Sequence, residues 1–226
     1  MKVELVGLTQ PSAPTDCNTA GELVAWAARV SNPENQNNKE TAPKLLKYLI
    51  KNEHWSPFEM VSIQMSITTT RDISRQIIRH RTFSFQEYSQ RYAEIPDMTY
   101  KREARLQDTK NRQNSIEIFD ESKEAREFSR MQDMLGHDAL AKYHQALELG
   151  IAKEQARALL PEGLTETTLI MAGTLRSWIH YCQLRMGNGT QKEHRLIADR
   201  CWQIVVGHFP ESVSYTHLTL PTICSV

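Results

Sequence analysis

The strongest constraint on the fold is a run of ten residues, VSIQMSITTT at 61–70, in which apolar and polar side chains alternate. A two-residue period directs alternate side chains to opposite faces of a β-strand, so this segment is predicted to be a strand with one buried face. A shorter alternation at 2–6 predicts a first strand. We therefore expect a small sheet early in the chain, whose buried face carries Val61, Ile63, Met65 and Ile67.

Helical patterns account for most of the remaining chain. Early helices are predicted at 20–30 and 40–50, and a helix capped by Thr70 or Asp72 is predicted to reach the Arg79-His80-Arg81 cluster. Strands early and helices late predict an α+β fold, namely a helix-rich single domain with a small, mostly antiparallel sheet. The later helices are predicted at roughly 121–149, 152–160, 165–186 and 191–207.

The overall charge limits the classes of function. The chain has 27 Lys and Arg against 27 Asp and Glu, so it has no net field to hold a polyanion, and a general nucleic-acid coat protein is excluded. No apolar stretch approaches the ~18–20 residues that cross a bilayer, and Glu4 interrupts the region where a signal peptide is apolar. We therefore expect a cytosolic protein with no membrane partner.

Metal, redox and several nucleotide-binding motifs are absent from the sequence. The four cysteines are far apart and form no C-x-x-C pair, and the eight histidines add no zinc-ligand spacing. The phosphate-binding G-x-x-x-x-G-K-[ST] motif, the H-E-x-x-H motif and the G-x-S-x-G motif are also missing. We expect reduced thiols and no bound metal.

Two segments stand apart in composition. Residues 101–115 contain five Lys or Arg, two acids and almost nothing to bury, which predicts a mobile loop or lid. Residues 213–226 contain no Lys, Arg, Asp or Glu, although 24% of the chain is charged. That peptide resembles the translation of a transposon-end adapter, so we expect a native domain at 1–212 and a non-native tail; the alternative is a β-rich extension.

The densest functional cluster begins with Arg71, Arg75 and Arg79, which repeat every four residues. On a helix this spacing stacks three guanidinium groups on one face, where they repel each other unless acids or a bound anion lie opposite. A solvated basic face is one reading. The aromatic residues that follow at 83–92 favour a phosphate-bearing aromatic ligand, and a non-catalytic nucleotide or RNA binder would use the same stripe.

Two further segments carry polar residues of interest. His54 in HWSPFE is either a packed loop histidine or a ligand contact. In the late segment 174–185, Arg176 and His180 are four residues apart and share a helical face, whereas Arg185 lies about 180° around the helix from Arg176. A shared pocket must therefore wrap around the helix end, or two copies of the chain must build it; purely structural salt bridges are the alternative.

These segments together resemble the flavin-dependent thymidylate synthases. The signature is an Arg-His-Arg triplet followed after seven residues by Ser and, two further on, by Arg, as in RHRTFSFQEYSQR at 79–91. HWSPFE, SRQIIRHR, AR-x-x-LP around Arg157, and LRSWIHYCQLR ending at Arg185 match in the same order, so the resemblance spans about 1–212. Two positions depart from the pattern. Gln86 stands where the family usually has Asn, and His180 stands where some members have Asn.

The resemblance implies a single catalytic domain that makes dTMP from dUMP. The methylene group would come from 5,10-methylenetetrahydrofolate and the reducing hydride from NADPH through bound FAD. It also implies a homotetramer with active sites at subunit interfaces, in a bacterial cytosol or that of a virus-infected host. No catalytic cysteine is required, which leaves Cys182 and Cys201 without a role, and Ser89 is expected to bind phosphate or base rather than attack the substrate.

The resemblance also assigns residues to ligands. Arg185 is the implied catalytic residue, since a permanent cation stabilises the negative charge that develops on the uracil ring. The implied FAD-binding residues are His54, Ser56, Arg79, His80, Arg81, Glu87, Thr174, Leu175, Arg176 and His180. The implied dUMP-binding residues are Gln76, Arg79, Glu87, Tyr88, Ser89, Gln90, Arg91, Arg157 and Arg185.

Overall fold

The fold is α+β, as predicted, in a computed structural model that describes residues 1–95, 97 and 100–210. The predicted non-native tail and Cys224 lie outside the described residues. The strands are β1 (Lys2–Leu8), β2 (Ser62–Thr70), β3 (Ser84–Glu87), β4 (Arg105–Gln107), β5 (Ser115–Glu117) and β6 (Glu166–Thr174). The helices are α1 (Ala20–Ala28), α2 (Ala42–Lys51), α3 (Arg71–Ile77), α4 (Lys123–Glu148), α5 (Lys153–Ala156), α6 (Leu175–Arg185) and α7 (Lys192–His208).

The main sheet has four antiparallel strands in the order β1-β2-β6-β3. Met65 of β2 lies opposite both Leu5 of β1 and Met171 of β6, so the alternation of 61–70 is repeated across the sheet. Met65 and Met171 are completely buried. The strand predicted from the alternating run is therefore confirmed as a central strand, with its apolar face on the core.

The helix predicted at 165–186 is wrong for its first half. Residues Glu166–Thr174 form β6, which pairs with β2 on one side and β3 on the other, and only Leu175–Arg185 is helical. An apolar run of this length fits either structure by itself, and pairing on both edges decides in favour of the strand. Thr174 ends the strand and caps α6, because its hydroxyl accepts from the backbone N–H of Ser177.

Helices cover the buried face of the sheet. Trp178 of α6 is completely buried, and its indole N–H donates to the carbonyl of Ile63 at 3.1 Å, which fixes the helix on β2. α7 packs against α6 and buries Ile197 and Cys201. Among the described residues, no helix is long and apolar enough to cross a membrane.

α3 is shorter than predicted. It ends at Ile77, so Arg79, His80 and Arg81 lie on the turn that leads to β3 and not on the helix. The helix predicted at 152–160 is divided into α5 and a 3₁₀ turn at Arg157–Leu159. The arginine triplet is therefore presented by a loop, where successive side chains need not follow helical spacing.

The segment predicted as an irregular loop at 101–115 instead contributes to a two-stranded ribbon. β4 and β5 pair antiparallel, with Leu106 opposite Ile116. The side chains of Arg102 and Arg105 are only 12% exposed, because the carboxylates of Asp72, Glu103 and Glu193 lie against them. Ion pairing, and not apolar burial, attaches this ribbon to the domain. Its mobility stays a prediction.

Gly173 in β6 lies under the ring of Phe83. A Cβ at this position would stand 2.4 Å from Cδ1 of Phe83, and that ring is buried edge-on against Trp178 with centroids 4.9 Å apart. The phenylalanine therefore has little room to move.

We expect Gly173→Ala to lower the free energy of unfolding by about 1–3 kcal/mol, since it overpacks this contact. The measurement is urea denaturation monitored by circular dichroism. Gly163→Ala, at a site with nothing within 4 Å of the added methyl group, is the control and should leave the midpoint nearly unchanged. Equal midpoints for the two variants would contradict the close approach of Phe83.

Candidate active site

One face of α6 forms a wall of an open pocket of about 270 Å³, named here the α6 pocket. The opposite wall comes from the loop after α3 and from the turn before β2. Arg176 at its rim is ion-paired with Glu59, and the His180 ring meets Trp55 edge-on with centroids 4.6 Å apart. The lining residues are Glu59, His80, Thr82, Phe83, Arg176, Ser177, His180, Tyr181 and Leu184.

Arg185 reaches this pocket through His80. Its Nε–H donates to Nε2 of His80 at 2.8 Å, so Nε2 carries no proton and the neutral ring is protonated on Nδ1. Burial, and then the charge of Arg185, lower the pKa of His80 to about 4. Among the described residues, the two terminal nitrogens of Arg185 make no hydrogen bond, so its planar fork is available to a ligand.

The helical spacing explains this arrangement. Arg185 follows Tyr181 by four residues and therefore lies on the same side of α6, although it is far from Arg176. Arg176 and His180 line the pocket directly, while Arg185 contacts its His80 wall at the end of the helix. Arg185 is thus linked to the pocket by its contact with His80 and does not line it, and both expected arrangements, a pocket that wraps around the helix end and a site built by two copies, stay predictions.

A buried polar network supports His80 from behind. Its ring packs edge-on against Tyr181, with centroids 4.9 Å apart. The Tyr181 hydroxyl lies 3.1 Å from Nε2 of His194, whose Nδ1 lies 3.4 Å from Oε1 of Gln76. Nε2 of Gln76 donates to Gln191 at 2.7 Å, and this amide orientation assigns the proton of His194 to Nδ1.

Sequence reasoning missed His194. Its ring is fully buried, and burial, followed by the charges of Arg185 and His80, lowers its pKa to about 3. The available signal was its position on the apolar face of α7, in helical spacing with Ile197, Ala198 and Cys201. A histidine at such a position needs polar partners, and here it finds Tyr181 and Gln76.

Glu87 is the anion that holds the basic cluster. Its carboxylate accepts from Ser74 at 2.8 Å, from Thr167 at 3.1 Å and from Arg75 at 3.1 Å. Arg71, which is 8% exposed, lies 3.8 Å away as an ion pair, and burial lowers its pKa although Glu87 opposes that change. A buried guanidinium of this kind depends on its counter-ion.

The predicted stripe is therefore wrong for Arg79, whereas the acid expected opposite the arginines is present as Glu87. Arg71 and Arg75 converge on Glu87, and Arg79 lies beyond the end of α3 on the surface. Among the described residues, neither Arg79 nor Arg81 has an ion pair or a side-chain hydrogen bond, and both are exposed. The cations that remain free for a ligand are on the loop, next to His80.

Glu154 brings two of the predicted nucleotide-binding arginines together. Its carboxylate pairs with Arg91 at 3.2 Å, and its carbonyl accepts from Nε of Arg157 at 3.2 Å. Gln90, between Ser89 and Arg91, is 4% exposed, and its Nε2 has no hydrogen-bond partner in the part of the chain that the structure describes. Sequence reasoning missed Glu154, although it precedes Arg157 by one helical turn in EQAR.

The remaining predicted residues have distinct environments. His54 precedes the 3₁₀ turn Ser56–Met60, Ser56 begins it, and both residues are exposed. Tyr88 donates its hydroxyl proton to the carbonyl of Glu94 at 2.9 Å. Leu175 needs a correction: its side chain is completely buried and its N–H donates to Val61, so that side chain is not available to a flavin. Gln86 is exposed on β3, opposite Ile170.

Two cysteines lie in the core. Cys182 and Cys201 are completely buried, and burial raises the pKa of both thiols. Within the described ranges, no three His, Cys, Asp or Glu side chains come together as a candidate metal site.

We expect Glu87→Gln to destabilise the fold by roughly 3 kcal/mol, because it leaves buried Arg71 without its counter-ion. Chemical denaturation at pH 7 measures the loss. Glu127→Gln breaks an exposed pair with Arg130 on α4 and should change stability by less than about 0.5 kcal/mol. A loss for Glu87→Gln no larger than that of this control would show that Arg71 does not depend on Glu87.

We expect stability to fall as the pH drops from about 6.5 to about 4, because the unfolded chain then binds protons that folded His80 and His194 do not accept. Each histidine adds a slope of up to ~1.4 kcal/mol per pH unit in that window. His194→Gln should give a shallower slope in denaturation series at several pH values, whereas His137→Gln, at an exposed position on α4, should not. If the two variants showed the same dependence of stability on pH, His194 would not be held neutral in the folded protein.

Comparisons with known proteins identify the family of this chain. The family model described as Thymidylate synthase complementing protein matches residues 15–211. The probable flavin-dependent thymidylate synthase of Paramecium bursaria Chlorella virus 1 is 47% identical over 210 residues, which cover 93% of this chain and 96% of the relative. The flavin-dependent thymidylate synthase of Synechocystis is 46% identical over 212 residues, with the same coverage of each chain.

A solved structure shows the same fold. The UMP/dUMP methylase PolB of Streptomyces cacaoi, bound with 5-Br dUMP, superimposes with a TM-score of 0.77 at 27% identity, covering 93% of this chain and 92% of that one. The non-catalytic nucleotide or RNA binder is not supported by any of these matches, and its arginine stripe does not exist as a free surface. The family model over residues 15–211 and the two relatives at 47% and 46% identity show that this chain belongs to the flavin-dependent thymidylate synthase family.

Proposed function

We propose that this enzyme makes dTMP from dUMP, with 5,10-methylenetetrahydrofolate as methylene donor and NADPH as the source of a hydride that passes through bound FAD. The observation that carries the proposal is Arg185, whose Nε–H donates to neutral His80 on the wall of the α6 pocket, while its two terminal nitrogens make no hydrogen bond to any described residue. The similarity to a UMP/dUMP methylase that binds 5-Br dUMP supports dUMP as the substrate.

The α6 pocket fits part of a flavin nucleotide. Phe83 and Tyr181 supply aromatic walls, while Ser177 and His180 supply hydrogen-bonding groups. The exposed cations of the loop, Arg79 and Arg81, suit a pyrophosphate. When bound there, FAD supplies hydride transfer without a covalent bond between enzyme and substrate.

Arg185 acts on the uracil ring of dUMP. Carbon 5 of uracil is a weak nucleophile, and it becomes stronger when negative charge on the polarised ring is stabilised. A guanidinium stays charged throughout, and a preorganised group of this kind contributes about 2.7–4 kcal/mol to the transition state. His80 must be neutral for this role, because a protonated ring could not accept from Nε of Arg185.

The phosphate of dUMP is assigned to the pair of arginines held by Glu154. The Nε atoms of Arg91 and Arg157 contact Glu154, and the terminal nitrogens of both arginines have no hydrogen bond to any described residue. Ser89 and the unpaired buried amide of Gln90 add donors on the same loop. Gln76, Glu87 and Tyr88 complete the proposed dUMP site, with Glu87 restraining the basic cluster.

The active site is proposed to form between copies of the chain, in a homotetramer within the cytosol. The α6 pocket is about 270 Å³ and open, below the roughly 300–1,000 Å³ of common ligand sites, so a neighbouring surface has room to close it over FAD. α4 also exposes Met131 and Leu135 on one face, at 57% and 53%. Such a stripe is typical of an interface between subunits.

We expect Arg185→Ala to keep the fold and the flavin absorption spectrum but to lose dUMP turnover by about 100-fold or more. Purified protein is reconstituted with FAD, reduced with NADPH, and assayed for dUMP-dependent flavin reoxidation and dTMP formation. Gln183→Ala, an exposed neighbour on α6, is the matched control and should retain activity. A folded wild-type protein that takes up no FAD and forms no dTMP with all reactants would refute the proposal.

A further inference from the structure

A larger cavity lies under the β4–β5 ribbon, away from the residues assigned to flavin and dUMP apart from a shared wall. Its volume is about 450 Å³, and we name it the ribbon pocket. Its walls are the ribbon, one side of α4 and the start of α7. The lining residues are Arg102, Glu103, Arg105, Gln107, Arg112, Gln113, Asn114, Ser115, Glu117, Phe128, Thr190, Gln191, Lys192 and Arg195.

Buried Glu193 fixes the inner side of this pocket. Its side chain is 5% exposed and pairs with Arg105 at 2.7 Å and with Arg102 at 3.3 Å. Arg102 also binds Asp72 at 2.6 Å. Burial opposes the ionisation of Glu193, but its own backbone N–H and the two arginines outweigh burial and lower its pKa. These groups form a rigid, internally neutralised frame.

Two arginines in the lining are left without a partner. Lys192 is neutralised by Glu103 at 2.8 Å and Glu117 at 2.6 Å. By contrast, the guanidinium groups of Arg112 and Arg195 have no ion pair or side-chain hydrogen bond to any described residue. Two free guanidinium groups that face one cavity provide the charge and the donors for a dianion such as a phosphate monoester.

The rest of the lining fits a planar heterocycle. Phe128 presents a 40% exposed ring to the cavity. The amide of Gln113 and the hydroxyl of Ser115 have no side-chain hydrogen bond among the described residues and can bind the edge of a base or a ribose. A phosphorylated nucleoside combines all three features.

The ribbon pocket adjoins the α6 pocket through one hydrogen-bonded wall. Gln191 lines the ribbon pocket and accepts from Gln76. Gln76 in turn meets His194, and His194 meets Tyr181, which lines the α6 pocket. This hydrogen-bonded series of four side chains therefore separates a ligand in the ribbon pocket from the α6 pocket.

We propose that the ribbon pocket is a second nucleotide subsite, which takes the adenosine arm of NADPH with its 2′-phosphate between Arg112 and Arg195 and its adenine against Phe128. The assignment rests on the proposed function, in which NADPH is the phosphorylated dinucleotide that reduces the flavin. A monoester dianion at the 2′-position is the feature that separates NADPH from NADH.

Binding of adenosine 2′,5′-bisphosphate to the FAD-loaded, full-length protein tests the proposal by calorimetry. We expect it to bind at least about tenfold more tightly than adenosine 5′-monophosphate and far more tightly than inorganic phosphate. Arg112→Ala and Arg195→Ala should each weaken it by about tenfold or more. Arg126→Ala, an exposed arginine on α4 outside the pocket, is the matched control and should bind normally.

Kinetics separate this subsite from the main reaction. In Arg112→Ala and Arg195→Ala, the KM for NADPH should rise about tenfold, while the KM for NADH and for dUMP stay unchanged. Equal affinity for the bisphosphate, the monophosphate and inorganic phosphate would overturn the proposal, and so would unchanged NADPH kinetics in an enzyme that makes dTMP. Failure to make dTMP would refute the proposed function alone, since the bisphosphate titration needs no turnover.

Discussion

The insertion of β6 between β2 and β3 is the interaction on which the site depends. β6 pairs with β2 from Glu166 to Thr174 and with β3 through residues 169–172, so one strand fixes the positions of both neighbours. β3 brings Glu87 beside Thr167 of β6, and the end of β6 starts α6, which carries Arg185 to His80. A shift of β6 by one residue would move its side chains to the opposite face and separate each of these contacts.

The sequence predicted those parts of the fold that local pattern determines. The alternating run at 61–70 became β2 within one residue, and α4 and α7 agree with the predicted bounds to within two residues. β6 was missed because a half-buried strand with a short apolar run is stabilised by partners far away in the sequence. The ribbon was missed because charged side chains were read as solvated, whereas buried Glu193 attaches them to the domain.

The site, like the fold, was predicted where local sequence determines it and missed where distant residues come together. The resemblance named Arg185 and His80, and the residues themselves indicated that Arg176 and Arg185 could not lie on one helical face. Neither approach found Glu154 or His194, whose roles depend on side chains brought together from other elements. Arg71 illustrates the physical reason. Arginines in a repeating pattern are expected on the surface, and only the three-dimensional structure shows that Arg71 is buried and paired with Glu87.

The two strand-to-helix junctions have no connecting residues. Thr70 ends β2 and Arg71 begins α3, and Thr174 ends β6 and Leu175 begins α6. Because Ser62 lies opposite Thr174, and Thr70 opposite Glu166, the two helices start at opposite ends of one antiparallel pair. A residue inserted at either junction would turn the helix that follows by about 100° and move its side chains away from their present partners, so both junctions require a fixed chain length.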